Sequence, residues 1–143
     1  MHNELGVLYW LRGQHELAEK NFDHAIHATV PYNSNEKRSI LNNYACMCIL
    51  RKNQPEQAEK YLLESLRINI SQEGVGHMAS NLASIYLFKK QLNDAFSLLQ
   101  SAESLLPKSG LHNLKLLREM AAHPEREVML SEFDAKCELQ VFR

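Results

Sequence analysis

Residues Asn81–Pro107 read NLASIYLFKKQLNDAFSLLQSAESLLP, and the spacing of their apolar residues decides the fold. Leu82, Ala83 and Tyr86 share one face of a first helix, and Ala95, Leu99 and Ala102 share one face of a second. Small residues at Ala83 and Ala95 let two backbones approach, while Leu82, Tyr86 and Leu99 fill the space between them. The stretch is therefore an antiparallel helical hairpin, and Pro107 stops its second helix.

Working back along the chain, the same template fits twice more. Ile40 to Lys52 forms a helix, Asn53-Gln54 turns, and Pro55 suits the first turn of a helix running to about Asn69. Its core set is Ala45, Cys46, Ile49, Ala58, Leu62 and Leu66. The first hairpin carries Leu5, Gly6 and Tyr9, a break at Gly13, then Ala18, Phe22, Ala25 and Ile26. The small residues opening the second helices, Ala18, Ala58 and Ala95, are 40 and 37 residues apart. Each lies 12 residues after a small residue of the preceding helix: Gly6, Cys46 and Ala83. A glycine inside a helix costs roughly 1 kcal/mol against alanine, so Gly6 calls for a close helix crossing.

The three hairpins span about 1–30, 38–70 and 77–107, joined by polar connectors at Val30–Arg38 and Ser71–Gly76. Beyond them, Leu111, Leu114, Leu117 and Met120 mark a short helix with Ser109 as its cap. Glu125 and Glu127 follow Pro124 as a helix start would, and Leu130, Phe133, Cys137 and Val141 fall on one helical face. Residues 109–143 thus read as a divergent closing helix pair covering the flank of the third hairpin.

The chain has 143 residues, 45% apolar and 23% charged, enough for a real core, with a formal net charge of −1. No global field attracts nucleic acid or an anionic membrane, and no apolar run approaches the roughly 20 residues that span a bilayer. Charge is uneven: residues 1–36 carry two basic against five acidic residues, and residues 37–70 carry six against three. Three cysteines, an odd number, and an N-terminus without a basic and apolar leader point to a reducing compartment, the cytoplasm by default. The opening directly on helical pattern at His2 reads as a piece of a larger protein.

The Leu-Gly-x-x-Tyr of Leu5 to Tyr9, the Leu-Ala-x-x-Tyr of Leu82 to Tyr86, and the later alanines and proline resemble the tetratricopeptide repeat. The third hairpin matches best; Cys46 and Ser65 stand where the second would carry Gly or Ala, and the closing helices carry no match. The offsets exceed the family's period of about 34 residues, the excess lying in the connectors. With Leu41-Asn42-Asn43 they bear a weaker resemblance to the longer repeats of kinesin light chains. The resemblance implies an all-α, right-handed α-solenoid of stacked helix pairs whose first helices line a concave groove. By alignment, its partner-binding positions are Asn3, Val7, Trp10 and Leu11, then Asn43, Met47, Leu50 and Arg51, then His77, Ser80, Asn81, Ser84, Leu87 and Phe88. Asparagine amides there are able to bond a peptide backbone as donor and acceptor, and Trp10, Met47 and Leu50 to supply apolar pockets. The Lys, Asn and Arg clamp with which related repeats grip acidic chaperone tails is absent: Asn3, Val7, Tyr44, His77 and Asn81 occupy those positions.

Chemistry has little to stand on. Cys46 and Cys48 lie about 200° apart around one helix and cannot share a metal. His24 and His27, beside Asp23, have no third ligand at a recognisable spacing. Gly74-x-Gly76 lacks the preceding strand of a dinucleotide site. The expectation is a non-enzymatic interaction module, without metal or cofactor, holding a peptide or helix of another protein as adaptor or scaffold. The alternative is a self-association or assembly domain of a larger regulatory or peptide-sensing protein, with homo-oligomers forming through His2, Leu5 and Tyr9 of the first helix.

Overall fold

The computed structural model describes residues 2–29, 31–68, 74–125 and 128–139. Seven α-helices and no strand occur among them, so the chain is all-α. It divides into two compact units, Met1–Ser71 with Glu138–Arg143, and Gln72–Cys137. The expected helix end at Asn69, Val30 and Ser71 at the starts of the two connectors, and Glu127 and Val141 lie outside the described residues.

Unit 1 contains α1 (His2–Leu11), α2 (His15–His27), α3 (Ser34–Leu50) and α4 (Pro55–Arg67). α1 packs on α2, α3 on α4, and both α1 and α2 reach α3. A Cβ on Gly6 would lie 2.6 to 2.8 Å from three ring atoms of Phe22, which is the close crossing that the glycine permits. Ala18, Cys46 and Ala58 are fully buried at the small-residue positions. Ser65 stands where the first hairpin has Ala25; its buried hydroxyl donates to the Arg38 carbonyl oxygen at 3.0 Å, so the added oxygen is bonded.

α3 starts at Ser34, six residues before the expected Ile40. Asn33 caps it: its Oδ1 accepts from the Glu36 backbone N–H at 2.9 Å, and its Nδ2 donates to the Glu36 carboxylate at 2.7 Å. Asn33 is thus an N-cap whose own amide group is held by the Glu36 carboxylate, a variation on the capping box in which the carboxylate takes the cap's side-chain N–H instead of its backbone N–H. Pro55 does open α4.

Unit 2 contains α5 (Val75–Phe88), α6 (Leu92–Ser101), a 3-10 turn at Glu103–Leu105, α7 (Lys108–Ala122) and a second 3-10 turn at Leu130–Glu132. α5 packs on α6, and α7 packs on both. A Cβ on Gly76 would overlap the Leu105 carbonyl oxygen, so glycine alone lets α5 approach the turn after α6. The core gathers Ala79, Ala83, Leu87, Ala95, Leu99, Leu106, Leu114, Leu116, Leu117 and Phe133.

The repeat recurs in backbone detail. Gly13, Asn53 and Lys90, 40 and 37 residues apart, all adopt the left-handed conformation, with φ of 76°, 50° and 62°. Each is followed by a glutamine, Gln14, Gln54 or Gln91, whose carbonyl accepts from the N–H of Ala18, Ala58 or Ala95 at 3.0 to 3.1 Å. The first and third turns match further, the Gln14 and Gln91 N–H groups reaching back to Tyr9 and Tyr86 at 2.9 and 2.8 Å, while the Gln54 N–H reaches one residue further back, to Cys48 at 2.8 Å.

The closing pair differs from expectation. α7 forms, but Pro107 rather than Ser109 precedes it, and Ser109 lies inside, its hydroxyl 3.4 Å from that of Ser80. No second closing helix is present among the described residues; after the turn at Leu130–Glu132, residues 133–139 are non-helical. Phe133 is 8% exposed in the unit 2 core. The backbone groups beyond it bond side chains of other helices, which takes away the partners a helix of their own would need.

Candidate functional site

The non-helical segment after Phe133 is held by polar side chains projecting from helices. In unit 2, Asn113 on α7 is fully buried and addresses Asp134 in both directions. Its Oδ1 accepts from the Asp134 N–H at 2.7 Å and its Nδ2 donates to the Asp134 carbonyl at 2.8 Å. The single hydroxyl hydrogen of Ser84 on α5 is shared between the Ser80 carbonyl at 3.0 Å and, in a longer contact, the Lys136 carbonyl at 3.4 Å. The Cys137 thiol lies 4.0 Å from the Asn81 carbonyl, a weak contact. The Ala135 and Lys136 side chains are exposed, so this face reads the segment's backbone rather than its sequence. Phe133 is the exception, an aromatic anchor seated in the core.

In unit 1, the Glu138 carbonyl accepts from Asn42 Nδ2 at 3.1 Å and from Cys46 Sγ at 3.5 Å. Asn42 also donates to Asn43 Oδ1 at 3.1 Å, and Asn43 donates to Asn3 Oδ1 at 2.9 Å. A buried relay of three amides thus backs the contact, each oriented by the next. One turn before Asn42, Arg38 is buried, and desolvation lowers its guanidinium below the ordinary value.

The residues expected from the repeat pattern are distributed as follows. Ser84 bonds the segment through its side chain and Asn81 through its backbone carbonyl. Asn3 and Asn43 stand behind Asn42. Met47 and Leu87 are packed inside at 0% and 1% exposure, leaving no side-chain surface to offer. Trp10 is half-buried and stacks on His15 with ring centroids 3.9 Å apart. Arg51 pairs with Glu19 at 3.2 Å, and Leu50 and Phe88 are exposed. Val7 and His77 are half-buried.

Asn42, Cys46 and Asn113 escape the alignment. Asn42 is shadowed by its neighbour Asn43, one helical position away, and Cys46 reads from its spacing as packing alone. Asn113 sits within the Leu111-Leu114-Leu117 stripe, where a lone amide signals a backbone partner, because an apolar position that keeps a polar side chain needs one.

Away from this face, Lys52 on the α3 side of unit 1 bonds the Tyr44 hydroxyl at 3.3 Å and Asp23 at 3.4 Å. Burial works against its charge, but the Tyr44 bond and the Asp23 carboxylate outweigh it and raise the ammonium above its ordinary value. Burial pushes the Cys48 thiol up, although the Lys52 charge opposes that shift. No helix of the described residues is long and apolar enough to cross a membrane. A comparison with protein-family models, with curated proteins and with solved structures found no match to this chain.

Proposed function

We propose that the chain is a non-enzymatic interaction module of tetratricopeptide-like hairpins that binds an extended segment of a partner protein in the groove lined by its first helices. One observation carries this reading: within unit 2, the buried hydroxyl of Ser84 on α5 and the buried amide of Asn113 on α7 bond the main chain of a non-helical segment. Backbone reading by Asn and Ser is independent of ligand sequence and suits a module that takes peptides. The three alignable hairpins support the family resemblance.

The test is a display library of ten-residue peptides panned on the chain and on a variant carrying Asp134→Pro, which removes the N–H that Asn113 accepts. Enriched peptides are expected to bind at least about tenfold more weakly when Asn113 is replaced by Ala, a loss of the size of one or two hydrogen bonds. No enrichment on either chain, or enrichment indifferent to the Asn113 replacement in a cooperatively folded variant, refutes the reading.

A second reading, self-association, is favoured by α1 alone, where Leu5, Leu8 and Leu11 are 36%, 51% and 76% exposed. Light scattering after size exclusion tests it; a concentration-independent monomer removes it.

A further inference from the structure

We infer that the α5/α7 face of unit 2 is a peptide subsite whose resident occupant is the chain's own residues 133–137, so that a partner segment binds by displacing them. The inference rests on the peptide-binding reading above and specifies the partner: an extended segment with an aromatic residue, followed by backbone positions with both N–H and C=O free.

The geometry is that of a ligand and its receptor. Phe133 is the anchor, 8% exposed and part of the same buried cluster as Ala79, Ala83, Leu114 and Leu117. Immediately after it, Asn113 pairs with the N–H and C=O of Asp134 as a neighbouring strand would. The next side chains, Ala135 and Lys136, turn to solvent while the Lys136 carbonyl is bonded by Ser84. Little in these contacts requires the occupant to belong to this chain: the bonds from Asn113 and Ser84 go to main chain, and the Cys137 thiol, 4.0 Å from the Asn81 carbonyl, is the one side-chain polar contact among the described residues.

The resident segment is also an imperfect occupant. Asp134 Oδ1 is buried with no hydrogen-bond partner among the described residues. A carboxylate oxygen left so weakens the occupant. A partner with a small or neutral side chain at that position gains the same backbone bonds without this penalty. The resident's advantage is tethering: ten residues, 123–132, join α7 to Phe133. A short tether supplies an effective concentration on the order of millimolar. A free peptide of equal intrinsic affinity therefore competes only where that advantage is removed.

The experiment uses the full chain and a labelled synthetic peptide with the sequence of 130–139, serine replacing cysteine at 137. Asp134→Pro frees the resident segment, and the peptide is expected to bind that variant at least about tenfold more tightly than the wild type. Adding Asn113→Ala to Asp134→Pro should abolish this gain. Release is read independently by alkylation of Cys137, which is half-buried whereas Cys46 and Cys48 are buried. The single variant Asn113→Ala, which leaves Phe133 in place, should accelerate Cys137 alkylation at least about tenfold without exposing the other two thiols. Equal peptide affinity for wild type and Asp134→Pro overturns the inference, as does a folded Asp134→Pro chain that binds no peptide. Should Asp134→Pro fail to unfold cooperatively, unchanged Cys137 reactivity in Asn113→Ala overturns it. Library peptides that bind wild type and Asp134→Pro alike leave the groove function standing and remove only the resident occupant. Failure of every peptide on both chains removes both readings.

Discussion

Replacing Gly6 by alanine tests the crossing on which the first hairpin depends. In an ordinary helix interior the change stabilises by about 1 kcal/mol, the propensity difference between the two residues. Here the added methyl would lie 2.6 to 2.8 Å from three atoms of the Phe22 ring, so the ring must recede by about 0.6 to 0.8 Å to reach the ordinary contact distance of 3.4 Å. Phe22 is 1% exposed and flanked on α2 by the equally buried Ala18 and Ala25, which leaves it little room. Overpacking of this kind costs about 2–3 kcal/mol, so Gly6→Ala should destabilise by about 1–2 kcal/mol net. Urea unfolding followed by circular dichroism measures it. Phe22→Leu removes the offending ring atoms and should cost at least about 1 kcal/mol less in the Gly6→Ala chain than in the wild type. A stabilised Gly6→Ala chain, or the same cost for Phe22→Leu in both backgrounds, would refute the argument.

Three further outcomes follow from local chemistry. Lys90 is exposed yet left-handed, so Lys90→Gly should raise unfolding free energy by about 0.5–1 kcal/mol in the same urea assay, and a loss would contradict the turn geometry. Asn33→Ala removes both halves of the α3 cap and should cost about 1 kcal/mol, with amide exchange accelerating first at Glu36. The bond from Arg118, two-pronged at 2.7 and 2.8 Å, holds the Glu103 carboxyl below its ordinary range. A depressed carboxyl adds stability above its unfolded pKa and loses it as pH falls through the folded value. Arg118→Ala should therefore move the Glu103 midpoint upward in a carboxylate NMR titration and flatten the acid side of the stability profile.

The helices are legible because each hairpin solves the same packing problem with the same spacing. A small residue at Ala18, Ala58 and Ala95 is needed wherever two helices cross closely, and the turn before it repeats down to its left-handed residue. What escapes is governed by contacts distant in sequence. Leu130, Phe133 and Cys137 have helical spacing, yet Phe133 is fixed by the core and Asp134 by Asn113, 21 residues away. Local periodicity carries no information about such partners, and tertiary contacts override it. The start of α3 is hidden for a different reason: Asn33 and Glu36 form a cap, but their polar surroundings read equally well as a connector.

Because unit 2 grips residues 134–136 by their main chain, Ala135 and Lys136 are open to chemistry that leaves the grip alone. A fluorophore attached at either position rides on a fixed backbone, with its dye in water, and changes environment when that backbone departs. The pair are therefore sites at which this protein can be converted into an optical sensor of its own occupancy.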